Sequence, residues 1–152
     1  MGEKAGVICL FVMDIMEKDV EKIEPDRSIS DAAAIMKENG ISYLLVVDDS
    51  RLVGIITEDD IVDKVVSEGK APKDTKIADI MVKSVIHIEP QKSLEEAAQV
   101  MTEKNIEKLP VVEGAKLLGI ITAKDMIAAE PKMIDQLGKL LIFAKRQKKI
   151  AG

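Results

Sequence analysis

Apolar and polar positions along the chain predict the same elements twice. Apolar residues recur at i, i+3, i+4 and i+7 in two stretches, which predicts two helices that each bury one stripe. These stripes are Ile29, Ala32, Ala33 and Met36, and then Leu94, Ala97, Ala98 and Met101. After each helix, two short apolar runs flank a polar turn and predict a β-hairpin, at residues 44–47 and 52–56 and at 109–112 and 117–121. Short strands at 20–24 and 85–89 precede the helices, and a second helix begins at Thr57 or Thr122.

The elements recur because the sequence itself repeats. The segment Asp14-Ile15-Met16 matches Asp79-Ile80-Met81, and Gly54-Ile55-Ile56-Thr57 matches Gly119-Ile120-Ile121-Thr122, both at one offset (79 − 14 = 65 and 119 − 54 = 65). Ser28 with Asp31, and Ser93 with Glu96, predict a capping box at the start of each first helix. One β-α-β-β-α copy is too small to bury its own sheet. The sequence therefore predicts an α+β fold, with two units related by a pseudo-twofold axis and packed as one module.

The repeat also gives the expected organisation of the chain. Residues 1–12 form an apolar segment that we interpret as a strand, 13–66 the first motif, 67–76 a polar linker, and 77–129 the second motif. Residues 130–152 place apolar residues at helical spacing before a basic end, which indicates a C-terminal helix; an interaction tail is the alternative.

Composition argues against several classes of function. The net charge of −5 and only three aromatic residues are unlike a nucleic-acid-binding surface. Cys9 is the only cysteine, which excludes an internal disulfide or a thiolate zinc site and favours a reducing cytoplasm. No apolar run approaches the ~20 residues that span a bilayer, so we expect no membrane segment. No Cys, serine–base pair or second His accompanies His87, which we interpret as a structural histidine, and we expect no enzyme activity and no metal site.

The segments Gly54 to Asp60 and Gly119 to Asp125 are the candidate sites. Each places a strand end directly before a helix start, where free amide groups favour an anion or a hydroxyl-rich ligand. Thr-x-x-Asp is equally a capping box that needs no ligand, so the pattern leaves both interpretations open. Two details favour a ligand: both copies use the short Asp, and both place Gly before the turn, where a side chain would crowd a cleft.

These motifs, over residues 13–128, resemble a tandem pair of CBS motifs, the regulatory module named after cystathionine β-synthase. The resemblance implies an adenosyl ligand, such as AMP, ADP, ATP or S-adenosylmethionine, held in clefts between the motifs, with each Asp accepting hydrogen bonds from ribose hydroxyls. It implies two sets of site residues, with Ile41 and Ile106 beside the adenine: Thr57, Asp60, Val85 and Ile86 in one set, and Thr122, Asp125, Val20 and Glu21 in the other.

The two copies differ at charged positions. A position that is often basic in this family is Lys108 in one copy and Tyr43 in the other, and Lys124 adds a charge beside Asp125. Nearby acids disfavour a polyphosphate, so we expect at most one well-formed site, for a mono- or diphosphate or a cationic adenosyl compound.

The expected function follows from the resemblance. It is that of a stand-alone regulatory module, a homodimer without a required cofactor, which signals to an unidentified partner protein. The alternative is a ligand-free oligomerisation or scaffold module, which Tyr43 and Glu107 favour.

Overall fold

A computed structural model describes the backbone of residues 10–151 and the side chains of residues 10–142. The first copy contains α1 (Val12–Ile15), β1 (Lys22–Ile23), α2 (Ile29–Asn39), β2 (Tyr43–Asp48), β3 (Arg51–Thr57) and α3 (Glu58–Ile61), which continues as a π-helical turn (Val62–Val66). The second contains a 3₁₀ turn (Pro72–Asp74), α4 (Ile77–Ile80), α5 (Leu94–Lys104), β4 (Lys108–Glu113), β5 (Lys116–Thr122), α6 (Ala123–Ala129), a second 3₁₀ turn (Pro131–Met133) and α7 (Ile134–Ala151). The predicted α+β class is confirmed.

Both long helices of the repeat, α2 and α5, begin and end at the predicted residues, but each predicted capping box is only half formed, because the carboxylates of Asp31 and Glu96 do not bond back to the serine amides. The hydroxyl of Ser28 accepts a hydrogen bond from the amide of Asp31 at 3.0 Å, and that of Ser93 accepts from Glu96 at 3.1 Å. The helices end in left-handed residues, Gly40 (φ 63°) and Asn105 (φ 56°), the two residue types that adopt this cap most readily. Local sequence signals therefore set both ends of each helix.

The predicted hairpins are present, whereas the strands before the helices are shorter than predicted. β2 and β3 pair antiparallel, and β1 adds parallel to β2 over its two residues only. In the second copy a single bridge, Ile88 with Val111, replaces the strand predicted at 85–89. The amide of Val85 donates to the carbonyl of Lys83 at 3.1 Å, and this tight turn takes the start of the segment out of extended conformation.

Contacts divide the described chain into two compact units. The first-copy unit consists of Asp19–Val85 and Gly114–Leu117, and the second-copy unit consists of residues 10–18, Ile86–Glu113 and 118–151. The short helices α1 and α4 are thus exchanged: Ile77 and Ile80 of α4 lie in the core of the first-copy unit, and Val12 of α1 lies in the core of the second-copy unit. The predicted motif boundaries are sequence segments and stay predictions.

One pair of equivalent alanines shows how the two cores differ. Ala98 of α5 is fully buried, whereas Ala33 of α2, predicted to lie on the same buried stripe, is exposed. The reason is α7, which packs against α5 and adds Leu137 to the core of the second-copy unit. The prediction that Ala33 is buried is therefore wrong.

The two ends of the chain are described in part. The predicted N-terminal strand falls mostly on residues 1–9, outside the described residues; Phe11 forms one bridge with Ser93, and α1 begins at Val12. A helix, α7, begins at Ile134 as the C-terminal pattern predicts, but the basic side chains of residues 145–149 lie outside the described ones. Within the described chain, no helix combines the length and the apolar character needed to cross a membrane.

Candidate functional site

Close backbone contact explains the glycine before each Thr-x-x-Asp turn. In the first-copy unit, Ile55 and Val82 exchange hydrogen bonds of 3.0 and 2.9 Å beside Gly54, and a Cβ on Gly54 would lie 2.5 Å from the sulfur of Met81. In the second-copy unit, Glu17 and Ile120 exchange bonds of 2.8 and 2.9 Å beside Gly119. A side chain at either glycine would therefore meet a neighbouring segment of the chain, so the glycines follow from packing and are no sign of a ligand.

Both oxygens of the Asp60 carboxylate have a donor within the first-copy unit. The hydroxyl of Thr57 accepts from the amide of Asp60 at 3.2 Å, and Asp60 Oδ2 accepts from the amide of Thr57 at 3.1 Å, which completes a capping box. The second oxygen, Oδ1, lies 3.2 Å from Lys64 Nζ, which also donates to the carbonyl of Ile80 at 3.3 Å. Only 14% of the Asp60 side chain is exposed.

Asp125, at the equivalent position of the second-copy unit, is held less completely. The hydroxyl of Thr122 accepts from the amide of Asp125 at 3.1 Å, but the return bond to the carboxylate is not formed. Position 129, equivalent to Lys64, is an alanine. Among the described residues no donor contacts the Asp125 carboxylate, so both of its oxygens can accept hydrogen bonds from a ligand.

The neighbouring strand starts also differ in charge. In the second-copy unit, Ala123 donates from its amide to the carbonyl of Glu107 at 2.9 Å, and Lys108 Nζ lies 3.0 Å from Glu107 Oε1. At the position of Lys108, the first-copy unit has Tyr43, which is half-buried; burial raises the pKa of its phenol, which stays neutral near pH 7. A cation thus stands only at the second of these two positions, and an adjacent carboxylate neutralises it.

The compact units group the predicted site residues as follows. In the first-copy unit lie Val20, Glu21, Ile41, Thr57, Asp60 and Val85; in the second-copy unit lie Ile86, Ile106, Lys108, Thr122, Lys124 and Asp125. Of the residues predicted with Thr57 and Asp60, Val85 shares their unit and Ile86 does not; Val20 and Glu21 do not share the unit of Thr122 and Asp125. The roles of all twelve as ligand contacts stay predictions.

Lys64 is the residue that sequence reasoning missed. The signal was present, because Asp60 and Lys64 are four residues apart, the spacing that brings two side chains together on a helix. Comparison of the copies shows it as well, since Lys64 aligns with Ala129. Within the described part of the chain, no three His, Cys, Asp or Glu side chains are grouped so as to hold a metal ion.

The model of the CBS domain matches this chain twice, at residues 12–67 and 77–132. CBS domain-containing protein YhcV of Bacillus subtilis is 30% identical over 115 residues, which cover 76% of this chain and 81% of that protein. An uncharacterized protein of Methanopyrus kandleri is 37% identical, and there the chain spans 64% of the relative. A homoserine O-acetyltransferase of Methanosalsum zhilinae is 43% identical, but the match spans only 23% of that enzyme.

Solved structures give the same result. A putative signal-transduction protein with CBS domains from Burkholderia ambifaria has a TM-score of 0.68 at 33% identity, covering 79% of this chain and 93% of that one. A hexameric CBS-CP12 protein from bloom-forming cyanobacteria has a TM-score of 0.67 at 32% identity, covering 86% and 77%. The chain belongs to the CBS-domain family and carries two CBS domains in tandem.

Proposed function

We propose that this chain is a regulatory module that binds an adenosyl ligand at the Thr122 and Asp125 turn and signals to a partner protein. The proposal rests on the state of the Asp125 carboxylate. The amide of Asp125 donates to the hydroxyl of Thr122, which holds the residue at the turn, and no described donor contacts the carboxylate. A carboxylate in this state can accept hydrogen bonds from two hydroxyls of one sugar. Hydrogen bonds to an ionised acceptor are stronger than hydrogen bonds between neutral groups.

The charges around this turn favour a ligand with few phosphates. Lys124 is exposed beside Asp125, and Lys108 is paired with Glu107. A phosphate would therefore compete with Glu107 for Lys108, and the remaining acids oppose a triphosphate. We propose AMP, ADP or a cationic adenosyl compound such as S-adenosylmethionine as the ligand class, in a cytoplasmic protein that needs no cofactor.

Signalling requires that binding favour one conformation or assembly over another. Val62 and Val66 lie one turn apart in the first-copy unit and are 55% and 61% exposed, so a homo-oligomer, a dimer in the simplest case, would have an apolar helical surface to bury. The hexameric relative supports self-assembly. The partner protein is unidentified.

A ligand-free oligomerisation module is the second candidate. The observation that favours it is the closed state of Asp60, whose two carboxylate oxygens already have donors in Thr57 and Lys64. If the Asp125 carboxylate also had donors from within the chain, neither turn would offer a free carboxylate to a ligand, and the fold would serve only as a scaffold. The open carboxylate of Asp125 favours ligand binding instead.

Thermal unfolding with AMP, ADP, ATP, S-adenosylmethionine and methylthioadenosine tests the proposal. A ligand at 100 times its Kd adds about 2.7 kcal/mol to the free energy of unfolding, which raises Tm by roughly 5–10 °C. Asp125→Asn keeps the shape and removes the charge, so the ligand-induced shift should fall to about half or less. Glu95→Gln, an exposed residue on α5, is the matched control and should keep the full shift.

The alternatives predict different results. If none of the five compounds moves the transition, the scaffold function replaces the proposed one. If a compound shifts the transition equally in wild type and Asp125→Asn, the chain binds it, but the role assigned to Asp125 is wrong.

A further inference from the structure

We infer that Lys64 takes the place of a ligand in the first-copy unit, so that the chain has one open ribose site, at Asp125, and one site closed from within. The inference rests on the proposed function, because it concerns the ligand-binding role of the two equivalent aspartates. It assigns to Lys64 a role that has no equivalent in the second copy.

Three contacts of Lys64 and Asp60 define the closed state. Lys64 Nζ lies 3.2 Å from Asp60 Oδ1 and 3.3 Å from the carbonyl oxygen of Ile80, so one ammonium group bridges the carboxylate and the end of α4. Asp60 Oδ2 accepts from the amide of Thr57. Each oxygen that a pair of ribose hydroxyls would bind already has a donor.

The burial of the Asp60 carboxylate distinguishes this ion pair from one on the surface. The Asp60 side chain is 14% exposed and the Lys64 side chain 44% exposed, so the carboxylate is shielded on its side while the lysine stem remains partly in water. A charged pair in such a setting is screened less than an exposed one. A ligand hydroxyl would have to share an oxygen that already has a donor, or displace the ammonium and leave a shielded carboxylate with a neutral donor in its place.

The second-copy unit shows the same turn without the closing group. Ala129 stands at the position of Lys64, and its methyl group reaches no carboxylate. Asp125 also lacks the return bond from Thr122. The closing lysine is therefore a side chain that only the first copy has, which makes exchange of Lys64 and Ala129 between the copies a direct test.

Isothermal titration with AMP as the probe measures both stoichiometry and affinity. Wild type should bind one equivalent. Lys64→Met, which keeps the aliphatic stem, should bind a second equivalent, and adding Asp60→Asn should remove it. Ala129→Lys should weaken the original site at least tenfold, because the new lysine reaches Asp125 as Lys64 reaches Asp60. Lys70→Met, an exposed lysine in the first-copy unit, makes the same change of charge and should leave one equivalent.

The outcomes separate this inference from the proposed function. Two equivalents in wild type, or one in both wild type and Lys64→Met, overturn the inference and leave ligand binding intact. Unchanged affinity in a folded Ala129→Lys, with a wild-type unfolding transition, also overturns it. No binding by wild type overturns the proposed function and the open site at Asp125; the closing role of Lys64 then stands if Lys64→Met binds one equivalent, and falls if it binds none.

Discussion

Replacement of Gly119 by alanine tests whether the turn is built by backbone contact. A Cβ at this position would lie 2.5 Å from the carbonyl oxygen of Glu17, whereas ordinary contacts begin at 3.4 Å. The obstacle is a backbone atom, so no side-chain rotation relieves it. The hydrogen bonds between Glu17 and Ile120, at 2.8 and 2.9 Å, hold the two segments at this separation and must lengthen if the segments part.

The cost of this substitution has two contributions. Overpacking at a tight contact costs about 1–3 kcal/mol, and weakening two backbone hydrogen bonds adds up to about 1 kcal/mol each. We therefore expect Gly119→Ala to lower the free energy of unfolding by about 2–4 kcal/mol, and Tm by roughly 5–15 °C. Gly54→Ala should cost less, because the nearest atom to its Cβ is the side-chain sulfur of Met81, and the nearest backbone atom, the carbonyl oxygen of Val82, lies farther away at 3.0 Å.

Urea unfolding followed by circular dichroism measures both values, with Gly138→Ala as the control. Gly138 lies within α7, and the nearest atom to its Cβ is Ile134 Cγ1 at 3.6 Å, so alanine fits there. It should stabilise the protein by about 0.5–1 kcal/mol, the helix preference of alanine over glycine. A Gly119→Ala protein within 1 kcal/mol of wild type would refute the close-contact explanation.

Three further substitutions test separate parts of the structure. Glu107→Gln removes the carboxylate that lies 3.0 Å from Lys108 Nζ and should tighten binding of AMP about three- to fivefold relative to adenosine, the range of a partly exposed ion pair; equal changes for both ligands would contradict this. The bond from Arg27 lowers the pKa of Asp31, so the pair stabilises the fold above the ordinary carboxyl pKa of 3.8 and loses that effect as the pH falls through the lowered value. Arg27→Ala should raise the Asp31 pKa in an NMR titration, and an unchanged pKa would show that the bond is absent in solution. Leu137→Ala opens a cavity where α7 covers the core and should cost about 2–5 kcal/mol in urea unfolding, whereas a cost below 1 kcal/mol would mean that α7 is not docked there.

Local signals account for the parts of the fold that the sequence predicts well. Ser28, Gly40 and Asn105 act on the backbone next to them, so the bounds of α2 and α5 follow from residues at their ends. The hairpins likewise follow from apolar runs that meet at a short polar turn. These elements need no knowledge of the tertiary structure.

Tertiary contacts account for the parts that the sequence did not predict. The match of Asp14 to Asp79 shows that α1 and α4 are equivalent, but either helix could pack on either copy. The structure shows Ile77 of α4 in the core of the first-copy unit and Val12 of α1 in the core of the second-copy unit. Ala33 and Ala98 are identical residues at equivalent positions, but Ala98 lies on a helix against which α6 and α7 pack. A repeat therefore predicts shared elements better than it predicts their surroundings.

In the candidate site, too, local sequence predicts some features and tertiary contacts determine the others. Thr57, Asp60, Thr122 and Asp125 are found from the motif, because each pair is adjacent in sequence across one turn. The closed state of Asp60 depends on Lys64, whose effect appears only once its reach to both Asp60 and the end of α4 is known. The glycines, taken from the sequence as a sign of a ligand, turn out to serve packing.

The central claim is that a carboxylate at Asp125 binds the ribose of an adenosyl ligand. The most direct measurement is the ratio of the dissociation constants of AMP and 2′,3′-dideoxy-AMP for the wild-type protein, determined by isothermal titration at one pH and salt concentration. Since hydrogen bonds to a charged acceptor contribute about 1.5–3 kcal/mol, we expect the dideoxy compound to bind about 10- to 100-fold more weakly. Equal dissociation constants would contradict the account.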